Sequence, residues 1–396
     1  MKILQIHNQY TKKGGEDTTV ANEKSLLLAK SHQVEQLFFD NGQIKGIEKM
    51  KILYKSIYNQ NSTKILRDKI QDFRPDIIHI HNLFYVASPA ILYEAQKNKV
   101  PVVLTIHNFR LICSGSLLLR NGQVCELCTQ KVFPFSGIKH KCFQNSVLKT
   151  AQLTFTTGIH KILGTWRNKV DAYITLTDFV KKKLIQSSLQ LPESKVFVKP
   201  NFTEDKGWAS AESRDNFFLY VGRLSHEKGI RTLLEASKQI DFHLEIIGDG
   251  EMRQMVQAFA QQNPNIIYHG FQGQDFILQK MKSCKALLFP SIWYEGMPLT
   301  LLEAFSTGTP VIISDIDNLN EMVQHQFNGL HFKTGSSEDL AEKIYYFQQN
   351  ASSTFYENAR KTYEELYSPE KNYQELMGIY QKVIDLKRSK KIYDIS

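Results

Sequence analysis

No apolar run in this 396-residue sequence approaches the eighteen or so residues that a membrane span requires. The N-terminal MKILQIHNQY offers only a strand-length apolar stretch, too short for a signal-peptide core and without a cleavage-site pattern. A soluble protein kept in the cytoplasm is therefore expected, with its five cysteines reduced. No G-x-G-x-x-G follows the first strand, so a dinucleotide is not indicated. No helix-turn-helix, zinc-finger pair or RNP pattern accompanies the basic residues, which makes nucleic acid the weakest partner class. Nor is there a convincing pairing of a nucleophile with a general acid.

What is present describes a globular chain: 42% hydrophobic and 22% charged residues, with length enough for two domains that each own a core. The net charge of +9 is concentrated. Between Lys131 and Lys183 ten Lys/Arg face two acids, Asp171 and Asp178, a local +8. Such a patch suits an anionic membrane surface or serves solubility alone. The helical pattern from Ser146 to Trp166 lies inside it, with apolar Val147, Leu148, Leu153, Phe155, Ile159, Ile162, Leu163 and Trp166. That pattern either packs into the core or lies on an anionic bilayer; core packing is the ordinary outcome. Four of the five cysteines, Cys113, Cys125, Cys128 and Cys142, form C-x11-C-x2-C-x13-C in one loop-rich segment. The spacing suits a closed, structural zinc site; a redox pair, a disulfide hairpin and coincidence compete with it.

The order of motifs is that of an α/β protein. A first strand, Ile3–Ile6, leads through His7 and Asn8 to Gly14-Gly15 and a helix, an arrangement that brings backbone amides to a phosphate or serves as a tight turn. The alternation in Ile77-Ile78-His79-Ile80-His81 puts two histidines on one strand face, with no third metal ligand spaced nearby. Strand Pro101–Ile106 ends in His107, at the carboxyl end where open α/β sheets bind ligands. Polar, irregular residues 203–216 have the composition of a linker. A second β/α series then begins. Phe217–Val221 is followed by Gly222-Arg223-Leu224-Ser225-His226-Glu227-Lys228-Gly229, whose two cations beside a helix start suit a diphosphate without a metal. Gly248-Asp249-Gly250 follows the next strand. Finally strand 286–290, a loop holding Glu295, a helix opened by Pro298 and carrying Glu303, and strand 310–314 form one unit. Glu303 lies between Leu301, Leu302, Ala304 and Phe305, which argues against a freely solvated side chain.

At GRLSHEKG (222–229), GDG (248–250) and YEGMPLTLLEAFSTGTPVI (294–312), with its E-x7-E pair, the chain resembles family 4 of the glycosyltransferases, retaining enzymes of the GT-B fold. The resemblance implies two Rossmann-like domains with an interdomain cleft: 1–202 for the acceptor, with a Cys-rich insertion at about 113–142, and 203–368 for the nucleotide sugar. A helix and basic tail, 369–396, would return to the N-terminal domain. By the same resemblance Arg223 and Lys228 bind the donor's diphosphate, and Glu303 takes the nucleotide ribose. Glu295 binds sugar hydroxyls beside the backbone of Gly296, Met297, Pro298 and Leu299. Gly14 and Gly15 face the phosphates, Gly222 and Gly248 belong to the nucleotide crevice, and His107 lies near the transferred sugar. The donor implied is a UDP- or GDP-linked sugar, and the acceptor a glycan, polyprenyl-linked at the inner face of the membrane. No cofactor is required for the chemistry; the four-cysteine pattern resembles a subgroup found around bacterial capsule and exopolysaccharide assembly. A GT-B nucleotide-sugar epimerase and a non-catalytic sugar-nucleotide or zinc-dependent binding module are the alternatives.

Overall fold

The computed structural model describes residues 1–9, 14–41 and 54–393, with side chains through Ser389. The last residues of the expected basic tail, including the side chains of Lys390 and Lys391, lie outside the described residues. Two compact units are formed. The first comprises Met1–Leu118, Cys125–Pro200 and Asn372–Ser396; the second comprises Leu119–Val124 and Asn201–Lys371.

Each unit is built on a six-stranded parallel sheet. In the first, the strands are β1 (Lys2–Gln9), β2 (Gln33–Asp40), β3 (Ile77–Asn82), β4 (Val102–Ile106), β7 (Ala172–Thr175) and β8 (Val196–Val198). Their order is β2-β1-β3-β4-β7-β8. Between them in sequence, β5 (Leu119–Arg120) and β6 (Gln123–Val124) make a short antiparallel hairpin. The second sheet holds β9 (Phe218–Val221), β10 (Leu244–Ile247), β11 (Ile266–Gly270), β12 (Ala286–Phe289), β13 (Val311–Ser314) and β14 (Gly329–Phe332). Its order, β11-β10-β9-β12-β13-β14, is the 3-2-1-4-5-6 arrangement of a dinucleotide-type Rossmann fold. The strands β4, β7, β10, β12 and β13 are short and buried on both faces, as parallel strands covered by helices must be.

A doubly wound sheet has one place where successive connections leave in opposite directions, and the carboxyl ends of the strands open a crevice there. In the second sheet that point lies between β9 and β12, and in the first between β1 and β3. The β1–β3 pairing also shifts register between Ile6 and His7, just where the strands reach this edge.

From Asn372 onward the chain is part of the first unit. The helix Pro369–Tyr393 contributes Leu376, Ile379, Tyr380, Val383 and Ile384 to a core that includes Ile3, Leu27, Ile77, Val103, Ala172 and Ile174. Leu376 is fully buried among them. Leu376→Ala is therefore expected to lower stability by about 2–5 kcal/mol, the range for a buried leucine truncated to alanine. Urea unfolding followed by circular dichroism measures it, and a loss under about 0.5 kcal/mol, the scale of a surface substitution, would show that the helix is not part of this core.

Candidate functional site

In the second unit the loops after β9, β10 and β12 are packed by backbone against backbone. Gly229 has φ +69°, and a Cβ there would stand 1.7 Å from the carbonyl oxygen of Pro290. At Gly248, φ +149°, a Cβ would stand 1.9 Å from the carbonyl oxygen of Gly222. Only glycine permits these approaches. They join the 222–229 loop to the end of β12 on one side and to the GDG stretch on the other. Gly222 N donates to Ile247 O at 3.1 Å, and Leu224 N to Asp249 O at 2.9 Å.

Those approaches place a cation beside a carboxylate. Lys228 Nζ donates to Glu295 Oε1 at 2.7 Å. The same oxygen accepts from Trp293 Nε1 at 2.8 Å and from Ser291 Oγ, and Asn318 donates to the backbone carbonyl of Glu295. Glu295 is 5% exposed. A carboxylate held by three donors at one oxygen is fixed in orientation, while the second oxygen is left to accept further hydrogen bonds. Lys228 also stands 5.7 Å from the Phe289 ring centre and 5.6 Å from that of Trp293. Arg223 differs: its side chain is 70% exposed, and its nearest carboxylate, Glu227, is 3.9 Å away. Glu303 lies on the helix Leu299–Ser306, half-buried, and accepts from Gln274 Nε2 at 2.7 Å. Burial pushes its carboxyl above the usual range, against the Gln274 hydrogen bond. No side chain caps that helix at Pro298. Met297 is buried and Asn201 N donates to its sulfur at 3.1 Å, so residues 296–299 are anchored by backbone and sulfur.

In the first unit His7 and Asn8 end β1, His81 and Asn82 end β3, and His107 follows β4. Gly14 caps the helix Gly15–Ala29, but its N–H donates to Asp17 Oδ2 at 2.8 Å. Asp17 Oδ1 in turn lies 3.0 Å from His7 Nε2. The helix start proposed for a phosphate is thus occupied by its own aspartate here, with Glu16 also in the first turn. His79 and His81 do share a face, their ring centres 4.2 Å apart. The third ligand-type group absent from the local sequence is Glu23, whose carboxylate lies with both rings within 4.8 Å. Glu23 is 1% exposed. Its position was marked by spacing: it falls three residues after Val20 and four before Leu27, both buried. Lys199 and Tyr380, which also reach this cluster, carry no local signal.

Of the four clustered cysteines, Cys113 and Cys128 are hydrogen-bonded thiols. The neighbouring Cys128 and burial push the Cys113 thiol up, and the Cys113 neighbour draws the Cys128 thiol down. Cys142 comes close by its Cβ, 3.2 Å from where a Cβ on Gly115 would stand, a point 3.8 Å from Cys113 Sγ. Among the described residues no three of these sulfurs come within 4.8 Å of one another. Two of the four donors are therefore gathered, and a tetrahedron is not preformed.

The helix Val147–Ile162 does pack into the unit, with Leu153 and, beyond its end, Trp166 buried, but chiefly by polar side chains. Its buried face carries Thr150, Gln152, Thr154, Thr156, Thr157 and His160, with Leu153. Val147, Leu148, Phe155, Ile162 and Leu163 are exposed. The inversion is tolerated because the buried polar groups are satisfied. Thr154 pairs with Ser114 at 2.8 Å, Thr156 with Ser56 at 3.0 Å, and His160 with Thr165 and the carbonyl of Ile57 at 2.8 and 2.9 Å.

Comparison with known proteins accounts for both sheets. Residues 29–206 match the model of Glycosyltransferase Family 4, and residues 201–362 that of Glycosyl transferases group 1. The chain is thus a glycosyltransferase of the GT-B fold. An uncharacterized glycosyltransferase of Methanocaldococcus jannaschii is 26% identical over 97% of this chain and 99% of its own length. A lipopolysaccharide 1,6-galactosyltransferase of Salmonella typhimurium is 35% identical over 31% of this chain and 37% of its own. A UDP-Gal:alpha-D-GlcNAc-diphosphoundecaprenol alpha-1,3-galactosyltransferase of Escherichia coli is 26% identical over 60% of this chain and 64% of its own. Among solved structures, a lipopolysaccharide outer core galactosyltransferase in its apo form superposes with TM-score 0.67 at 19% identity, over 96% of this chain and 99% of that one. An Anabaena protein in complex with UDP superposes with TM-score 0.66 at 17% identity, over 98% and 100%. These last two establish the fold.

Proposed function

We propose that the chain moves a sugar, with retention of configuration, from a UDP- or GDP-linked donor to a polyprenyl-linked glycan in cell-surface polysaccharide synthesis. The observation that carries this reading is the meeting of Lys228 and Glu295 at the β9/β12 switch point, with exposed Arg223 on the same loop. Departure of a nucleoside diphosphate builds negative charge on its terminal phosphate. Lys228, oriented before reaction by Glu295, supplies fixed positive charge there, and the exposed Arg223 adds a second cation. Lys228 keeps its place through Glu295, whose second oxygen is available to a sugar hydroxyl. Glu303 is the ribose acceptor in this reading and His107 faces the transferred sugar. The Escherichia coli relative's name, with its UDP-linked donor and diphosphoundecaprenol acceptor, supports both halves of the assignment.

The purified enzyme, given UDP- and GDP-sugars with a polyprenyl-diphosphate-linked sugar, should yield an acceptor heavier by one sugar in mass spectrometry. Arg223→Ala and Lys228→Ala should each lower kcat/KM by about a hundredfold or more while leaving the far-ultraviolet spectrum unchanged. Near-wild-type turnover in either variant refutes the diphosphate assignment. Conversion of donor to an epimer without acceptor would identify an epimerase instead.

Among the described residues no helix is long and apolar enough to cross a membrane. Peripheral attachment is supported by the inverted helix, with exposed Leu148, Ile162 and Leu163 beside exposed Lys149, and by exposed Lys139 at the end of the neighbouring helix Phe135–Lys139 and Lys141 just after it. The wild type should sediment with vesicles containing anionic lipid and release them in high salt. The triple variant Leu148→Ser, Ile162→Ser, Leu163→Ser should stay in the supernatant; equal sedimentation of both would remove this attachment surface.

The Cys113–Cys128 pair, with Cys125 and Cys142 in the same loop, is the candidate structural zinc site, because four thiols at this spacing suit a closed tetrahedral zinc site. Metal analysis of the purified chain should give close to one zinc per molecule. A value well below one leaves the pair as ordinary buried thiols.

A further inference from the structure

One piece of the second unit comes from outside its continuous run of chain: Leu119–Val124, within the four-cysteine segment. It is the hairpin of β5 and β6, with Arg120 opposite Gln123 and a two-residue turn, Asn121-Gly122, whose φ values are +52° and +74°. Two positive φ values make the I′ turn that joins twisted antiparallel strands tightly, and Asn-Gly is its preferred sequence. The tip of this hairpin is seated on a neighbour. A Cβ on Gly122 would stand 2.8 Å from His226 Cε1, so the backbone of the turn lies against that imidazole. His226 belongs to the 222–229 loop and falls between Arg223 and Lys228. Arg120 precedes the tip by two residues, a chain distance of about 7 Å at most. The hairpin therefore holds an arginine beside the loop that carries the two diphosphate cations.

The charges of that loop cancel. Lys228 Nζ is 2.7 Å from Glu295 Oε1, and Arg223 is 3.9 Å from Glu227 Oε1, so two cations face two carboxylates. The cation that follows GDG is matched as well, Arg253 standing 3.8 Å from Asp249. A diphosphate brought to a neutral set exchanges its water for few charge-assisted partners, and a desolvated anion needs them. Arg120 is placed differently. Its Nε is buried and has no hydrogen-bond partner, and among the described residues no carboxylate oxygen comes within 4.0 Å of its guanidinium. A buried N–H without an acceptor costs free energy, which a ligand oxygen offsets. The planar fork of arginine fits a phosphate, and its charge is kept at any working pH.

We propose that Arg120 is a diphosphate-binding residue, and that the β5–β6 hairpin is the arm of the donor site that supplies the unmatched cation its loop lacks. The ligand class rests on the reading of 222–229 as the donor's diphosphate loop; the seating of the hairpin on His226 does not. The four-cysteine segment thereby contributes to ligand binding, since the hairpin lies between Cys113 and Cys125 in the sequence.

The test titrates the full-length chain by calorimetry with inorganic pyrophosphate, with UDP and GDP, and with uridine and guanosine. Arg120→Ala should weaken pyrophosphate, and whichever nucleoside diphosphate the wild type binds, by about tenfold to a hundredfold, the loss of one charge-assisted contact. Affinity for the matching nucleoside should not change. A hairpin that only packs would not sort ligands by their phosphates. Arg120→Lys, which keeps the charge and loses the fork, should recover part of the affinity. Gly122→Val retains the arginine but cannot hold a φ of +74°, so it should lose as much as Arg120→Ala, and the double variant no more than either. Losses that multiply in the double variant overturn the hairpin as the arm that places the arginine. Wild-type affinity of Arg120→Ala for pyrophosphate and for the nucleoside diphosphate overturns the assignment. Arg120-dependent binding of pyrophosphate by a chain that takes neither UDP nor GDP leaves the site standing and sinks the donor reading. A wild type that binds none of the phosphate ligands overturns both.

Discussion

The contact on which the second unit's site depends is one of backbone on backbone: residue 229 has no side chain, and the carbonyl of Pro290 occupies the space a Cβ would need. Chain order does the rest. Lys228 precedes that glycine and Glu295 lies five residues beyond Pro290, so closing the gap between the β9 and β12 loops brings ammonium and carboxylate to 2.7 Å. A buried ion pair is weak evidence for stability, because desolvating both charges costs much of what their attraction returns. Its value here is orientation. Ser291, Trp293 and Lys228 all converge on one carboxylate oxygen, and a group so held can meet a ligand without rearranging.

The same logic explains why the meeting of Lys228 and Glu295 was legible while much of the surrounding support was not. GRLSHEKG and the E-x7-E unit are local: each lies within one strand–loop–helix segment, so spacing alone predicts which residues share the sheet edge. The alternation of His79 and His81 is local as well. Glu23, Lys199 and Tyr380 reach those histidines from three other elements, and no periodicity links residue 23 to residue 380. Glu23 alone left a trace, as an acid on an apolar stripe between Val20 and Leu27. The helix Val147–Ile162 misleads for a different reason. Pattern reasoning assigns apolar residues to the interior, but threonines that return their hydroxyls to backbone carbonyls are cheap to bury, as Thr157 does to Leu153 at 2.8 Å. Both faces of such a helix are eligible for burial, and packing selects the polar one.

The two units therefore place carboxylates at their switch points in opposite ways. Glu295 lies beyond the end of β12 with Lys228, Ser291 and Trp293 on its Oε1 and, among the described residues, no partner on its Oε2. Glu23 is sealed beneath β1 and β3, its Oε1 on Gln5 and His79 and its Oε2 toward Lys199. A group so enclosed does not itself touch a ligand at the sheet's carboxyl edge. The expense of burying a glutamate, a lysine and two histidines together in one core is hard to explain by packing, since apolar residues of similar size would fill the same volume at lower cost.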